Sequence, residues 1–481
     1  PAFSTSNSKD ATLSTFGALN TAYRGLTAAQ QGMNVAGQNI ANAATEGYTR
    51  QRVDQSSLAA PASGLFSGGA LQPGQGVSVN AIARLGSSFL DAGVRSAGAQ
   101  AGYASVRSSA MQGIEGILQE PGDNSISTAL QGFWSAWQGA ANQPDKTAPK
   151  GMLLNAANSV TDKISSAYKA LDSQWTSVRG QAQDAVTVVN AAAAQVATYN
   201  TTIRSTLAAG GSANELIDAR AKLTEQIAGL TGGTVREQPD GTVDVLVGGN
   251  ALVTGGSVRT LQLAGATRLA DATGNAPRVE WTSPGGTAAL DGGEIAGALS
   301  VLAPADKGGA IAQAAASYNS FAKELAKAVN EVHKTGETSA GVQGVDFFAI
   351  GPAGSEALGL KGPTDIADIA LRASIGGALD TSIADKISQL GTGAGSPDKI
   401  WSGIVTEIGV QSRGAQQHES LTNAAQASAL TGRASQASVS LDEENVSLLT
   451  NQHAYQAAAR VMTAVDEALD VLINRTGLVG R

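Results

Sequence analysis

A seven-residue apolar period occupies each end of this 481-residue chain. Near the start, Leu19, Leu26, Met33 and Ile40 recur every seventh position, and Ala22, Ala29, Ala36 and Ala43 follow each by three. A helix built this way carries one thin stripe of alternating large and small side chains, the seam of a coiled coil. At 1.5 Å per residue it runs about 37 Å, with no bulky second stripe on which to fold alone. Gly47 is placed to stop it. Near the other end, Leu441, Leu448, Tyr455, Met462 and Leu469 keep the same spacing, with Ala458, Val465, Leu472 and Ile473 on adjoining positions and Asn451, Glu467 and Asp470 free to face outward. Ser440 and Glu443 form a capping box there, and Asp442 and Glu444 place negative charge where a helix dipole favours it. Two narrow seams suit one another, so the chain's two ends are expected to pair in one terminal domain.

Between them the pattern is mostly helical. "SSFLDAGVRSAGAQAGYASVRSSAMQGIEGILQEPG" reads as a long helix halted at Pro121-Gly122, "SISTALQGFWSAWQGAANQP" as a second, and helical periodicity resumes from about Met152 to Leu230. From Thr231 the character changes: Asp240-Gly241 sits between "TVREQ" and "TVDVLVGG", where Val243, Val245 and Val247 alternate, and "SVRTLQL" and "RVEWT" are bounded by Gly-Gly and Pro-Gly turns. Helix returns from Gly293, most clearly in "AIAQAAASYNSFAKELAKAVNEVHK", while Gly351 to Gly395 is loop-rich. The expected fold is mainly α with an inserted β-rich domain. Residues 1–50 and 440–481 form the terminal coiled coil, 51–230 and 300–439 a helical-bundle stalk, and 231–299 a small outer β domain.

Composition narrows the function. Charged residues are 15% of the chain and aromatics 4%, against about 25% charged in an ordinary soluble domain, so a weakly charged surface covered by neighbouring molecules is expected. A net charge of -8 with no Lys/Arg stripe argues against nucleic acid as a partner. No cysteine means no disulfide, thiolate metal site or cysteine nucleophile. The opening residues "PAFSTSNSKDATLSTF" lack a basic region followed by an apolar core, and no uncharged apolar run approaches about 18 residues, so neither Sec-type export nor membrane insertion is expected.

Candidate chemistry is sparse. His333, His418 and His453 lie on separate helical stretches without a metal-ligand spacing, and a packed helical histidine is the better reading of each. Gly391 to Pro397, "GTGAGSP", lacks the strand and Gly-Lys-Ser/Thr of a phosphate loop and reads as a linker. Glu115 and Glu120 have no opposing acid or sugar platform and read as solvated helix charges rather than glycosidase carboxylates. Trp134 and Trp137 read as a core stripe. No catalytic residue, cofactor or metal is expected.

"NIANAATEGYTRQ", Asn39 to Gln51, together with "SLDEENVSLLTNQHAYQAAARVMTAVDEALDVLI" resembles the axial proteins of the bacterial flagellum. Three further stretches, "GYTRQ", "NEVHKTGETSAGVQGVDFF" and "NELIDARAKLTEQIAGL", resemble the first hook-associated proteins, at the junction of hook and filament. The chain departs from that pattern at Ala219 and Ala221, beside Asp218 and Arg220, and at Pro149 and Lys150.

The resemblance implies a non-enzymatic subunit, exported through the flagellar type III apparatus to the cell exterior. Its terminal helices would form an inner coiled coil, its helical body the next layer, and its β domain the outside. Implied partners are hook protein, the second hook-associated protein, further copies of itself in a helical or ring assembly, and an export chaperone covering the C-terminal helix. A hook or rod protein, or a non-flagellar secreted coiled-coil tube protein, is the alternative. The interface residues would be Leu19, Leu26, Met33, Asn39, Ile40, Asn42, Gly47, Tyr48, Leu441, Leu448, Tyr455, Met462, Leu469 and Ile473. Asn39 and Asn42 have two readings, helix-end capping within the subunit or hydrogen bonds across subunits.

Overall fold

Long runs of Ala, Gln and Ser without β-branched clusters favour helix, and helix dominates the computed structural model, which describes residues 15–59, 74–352 and 354–471. Helix α1 (Thr15–Asn42) leads into an antiparallel ribbon of β1 (Gln51–Ser57) and β2 (Val77–Arg84). The body follows: α2 (Ser88–Leu118), α3 (Ile126–Asn142), α4 (Thr147–Ala208) and α5 (Asn214–Thr231). Ser87 and Ser125 cap α2 and α3 by accepting from the backbone N–H of Leu90 and Thr128.

The β region is a four-stranded antiparallel meander, β3 (Thr234–Glu237), β4 (Val243–Val247), β5 (Asn250–Thr254) and β6 (Ser257–Val258), then a ribbon of β7 (Leu261–Ala264) and β8 (Arg278–Trp281). Asp240-Gly241 makes the β3–β4 turn, with Gly241 at φ +82°, open to glycine at little cost. These strands lie along α4 and share one continuous apolar cluster with the helices. Three α4 side chains stand in for a missing neighbouring strand. Asn200 donates to the carbonyls of Val243 and Gly255 while its own oxygen accepts from Val243 N–H, Asn190 exchanges both bonds with Leu261, and Arg179 donates to Ala266.

The chain returns through α6 (Gly293–Leu302) and α7 (Ala310–His333), then a stretch of short pieces: β9 (Gly336–Thr338), β10 (Ala349–Ile350), α8 (Glu356–Gly359), β11 (Leu360–Lys361), β12 (Ala370–Ala373) and α9 (Ser382–Ser388). Helix α10 (Pro397–Ala437), N-capped by Ser396, runs back along α2, and α11 (Leu441–Asp470) lies against α1.

The body's core is aromatic despite the low aromatic content. Trp137, Trp175 and Trp401 are wholly buried, and Phe133, Trp137, Phe347 and Phe348 stack on one another with centroids 5.0–6.3 Å apart. Trp134 and Trp137 thus belong to the core. His333 closes this cluster: Nδ1 donates to Val345 O at 2.6 Å, and Nε2 accepts from Ala370 N–H at 2.9 Å, which requires the neutral ring. Burial lowers its pKa, against opposing pulls from the Val345 carbonyl, Asp346 and Asp368.

Two expectations need correction. Residues 51–57 and 77–84, expected within the helical stalk, instead form the ribbon of β1 and β2 between terminal helix and body. Glu120 is not a solvated helix charge: it accepts from Ser127 N–H and from Trp401 Nε1 at 2.8 Å, tying α3 to α10, and Glu115 accepts from Ser412.

Candidate functional site

Helices α1 and α11 pair antiparallel in a strict register. Gly25 faces Ala458, Gly32 faces Asn451, and Asn39 bonds Glu444, so each seven-residue step up α1 is matched by seven residues down α11. The small residues make the closest approach: Ala22, Ala29 and Ala36 are buried, whereas Leu19, Leu26, Met33 and Ile40 flank the seam half-buried. On α11, Leu448, Tyr455, Met462 and Leu469 are likewise half-buried, as are Ala458 and Val465.

Asn451 points inward rather than outward, because Gly32 leaves no side chain opposite it and a Cβ there would collide with the Asn451 amide. Leu441, at the first turn, lies beyond the seam and is 50% exposed. Ile473 and Leu472 fall outside the described residues. Helix α1 ends at Asn42, five residues before Gly47, which instead takes φ +83° in the turn that follows. Asn42 serves this helix end, donating back to Gln38 O and accepting from Thr45 Oγ1.

The turn delivers Tyr48 to Gln51 into a polar joint between the helix pair and the body. On one side, Asn39, buried with 1% exposure, accepts from Gln51 N–H and Tyr48 Oη and donates to Gln51 O and Glu444 Oε2, all within 2.9–3.0 Å. That uses its amide fully within the chain. Burial, with Glu215, Asp218 and Glu444 nearby, pushes the Tyr48 phenol up to about 12, so it stays a neutral donor. Arg50 forks across Glu444 and Glu443, both at 2.7 Å, with Glu444 almost wholly buried. On the other side, Thr49 N–H donates to Asp218, which Arg84 pairs at 2.6 Å, and Gln51 bonds Glu215 and Asn214 of α5.

Asp218 and Arg220 therefore keep partners despite the alanines beside them: Arg220 donates to Asn200 and Gly241 O, its guanidinium lowered to about 10 by burial. Sequence reading missed Arg50 and the structural use of Glu444. The first lay within the quoted "GYTRQ", and the second was absorbed into a dipole argument that its first-turn position also satisfies.

Among the described residues, no group of three or more His, Asp or Glu side chains is arranged to hold a metal ion, and no helix is long and apolar enough to cross a membrane. What the arrangement offers is a helix pair fixed at its root. Away from the seam, Tyr23 on α1 and Val446, Leu449 and Val461 on α11 are each at least half exposed.

Residues 111–348 match the family model described as flagellar hook-associated protein FlgK helical domain. Residues 19–49 match the flagella basal body rod protein model, and 430–475 that of the flagellar basal body rod FlgEFG protein C-terminal, so these two matches fall on the paired helices. Flagellar hook-associated protein 1 of Bacillus subtilis is 28% identical over 97% of this chain and 100% of its own length. That of Escherichia coli is 29% identical over 69% of this chain and 60% of its own. A solved structure, the flagellar hook junction protein FlgK from Burkholderia pseudomallei, is similar over 55% of this chain and 47% of that one, with 22% identity and a TM-score of 0.46. With terminal helices and body matched to one kind of protein along nearly its whole length, the chain belongs to the flagellar hook-associated protein 1 family.

Proposed function

We propose that this chain is a structural subunit of the bacterial flagellum that adapts hook to filament: copies assemble on the hook end and support the second hook-associated protein and filament growth above them. The observation that carries the reading is the single register of α1 on α11, with apolar side chains left bare on the outward faces of both helices. An isolated two-helix pair with such faces gains by burying them against neighbours, and repeated head-to-tail contacts between identical subunits build a tube. The paired helices form the inner layer and the body the next. The two axial faces differ, one meeting hook protein and the other the second hook-associated protein. The subunit catalyses no reaction. It leaves the cell through the flagellar type III apparatus, its α11 flank covered by an export chaperone until assembly.

Deleting the gene is expected to leave normal hooks without filaments. Missing hooks would place the chain below the junction and defeat this reading. Leu448→Asp puts a charge into the seam and is expected to abolish incorporation, read as filament counts, with the body still folded. Unchanged counts would refute the interface.

A further inference from the structure

Beside the joint, α2, α5 and the last turns of α10 enclose an open cleft of about 760 Å³. Its charges are almost all paired off internally. Arg433 takes Glu225 at 2.6 Å and Asp91 at 3.8 Å, Arg84 takes Asp218, and Lys222 takes Glu46 at 3.1 Å. Two are left over. Arg95, half-buried on α2 with its carboxylate neighbours already claimed by Arg433, makes no hydrogen bond or ion pair among the described residues, and burial lowers its pKa. Glu294, packed over Gly102, has none either, and burial raises its pKa. Residues 95 and 102 are two helical turns apart, about 10 Å. The cleft thus presents, near the joint, a half-buried cation with no direct partner, though Asp91, Glu225 and Glu237 lie close enough to ease its charge, and about 10 Å along α2 an exposed carboxylate with no direct partner, a pattern open to opposite charges on a second surface.

Helix α11 carries a matching pair. Arg460 and Glu467 are exposed, form no ion pair or hydrogen bond among the described residues, and lie seven residues apart, again about 10 Å. The chain's own pair is out of reach. Arg460 stands 19 residues beyond Leu441, about 28 Å along α11 from the joint, on a helix running away from it.

We propose that the cleft receives α11 of a second copy of this chain, Glu467 pairing with Arg95 and Arg460 with Glu294. The inference deepens the assembly reading above and rests on it for the presence of a neighbouring copy. It makes the root of one subunit's helix pair the seat for the outer part of the next.

The chain has no cysteine, so Ser105→Cys in the cleft wall carries a single thiol-linked benzophenone. Mixed light and heavy-isotope protein is assembled on isolated hooks and irradiated, and the cross-linked peptides are identified. Cross-links joining light to heavy copies at α11 are expected. Arg95→Glu is expected to lower both the cross-link yield and hook-end incorporation at least tenfold, Arg95→Gln less, with helical content and melting unchanged. A cross-link to hook protein, to another part of the chain, or to nothing, in protein that does cap hooks, overturns the cleft assignment alone. Protein that never caps hooks defeats the junction reading. The cleft is then decided in concentrated solution, where the light-to-heavy cross-link at α11 supports it and its absence overturns it.

Discussion

The body and the terminal helix pair are held by opposite means. All five tryptophans of the chain are buried in the body, where single side chains fill large volumes and touch several elements at once. The α1–α11 seam closes on glycine, alanine and one asparagine, and its larger residues remain half-exposed. Apolar burial is worth about 25 cal/mol per Å², so the body owns its stability, whereas the pair has little to gain from its own seam and depends on the joint below and on neighbours outside. The assembly proposed above suits that division, with a body that carries its own core and a pair for neighbouring copies to cover.

Removing the largest body anchor tests the first half. Trp137→Ala is expected to cost about 3–5 kcal/mol, read as a lowered urea midpoint of the body, because Trp137 bridges Phe133, Phe347 and His333 and its indole N–H has no partner to complicate the loss. A midpoint within error of the parent would mean the aromatic cluster is not what holds the body. The counterpart at the joint is Glu444→Ala, which leaves Arg50 only Glu443 and removes the acceptor of one Asn39 donor, a loss of about 2 kcal/mol for hydrogen bonds to a buried charge. It should appear locally, as faster amide exchange in α1 and α11 with the body's midpoint unmoved. Equal loosening of both regions would show that the joint belongs to the body's cooperative unit.

Acid separates the regions by a smaller margin. His333 is held neutral with its pKa below the ordinary 6.5, so the unfolded chain binds its proton first. Its contribution is complete above pH 6.5 and is lost as pH falls from there through the depressed folded value, at about 1.4 kcal/mol per unit of difference. The protection factor of the Ala370 amide, whose N–H the ring accepts, should fall below pH 6.5, and His333→Gln should remove that dependence. A pH-independent protection factor in the parent would sink the assignment.

How far the sequence foretold this follows from the reach of each signal. A repeat of seven recurring four or five times is local and redundant, so the seams, the long helices and the Asp240-Gly241 hairpin were legible. The ribbon was not: β1 reads "QRVDQSS", with a single apolar side chain and no alternation, and its partner begins 20 residues later at Val77. The joint was least legible, because Asn39 and Glu444 meet across 405 residues and neither choice is unusual in its own helix. Likewise Glu120 has no local reason to seek Trp401. The two apolar stripes announced that they would pair. The polar contacts that fix how they pair needed the fold.

The smallest effect bears on the register itself. Gly32 lies within α1, where replacing glycine by alanine ordinarily gains about 1 kcal/mol of helix propensity. Here the added methyl would strike the side chain of Asn451, whose amide is already tethered to Ser447 O at 2.9 Å. The propensity gain and the collision oppose each other, and the expected outcome of Gly32→Ala is a net loosening of the pair by under about 1 kcal/mol, since an asparagine head can yield only by breaking that tether. Asn451→Ala alone is expected to be nearly neutral for pairing strength but to relax the register, as polar seam residues select alignment at some cost in stability. The double variant therefore decides the matter: alanine opposite alanine should pair more tightly than the parent, by amide exchange in α11. If Gly32→Ala already tightens the pair, the contact is not a register stop, and the seam is not held in alignment by Asn451.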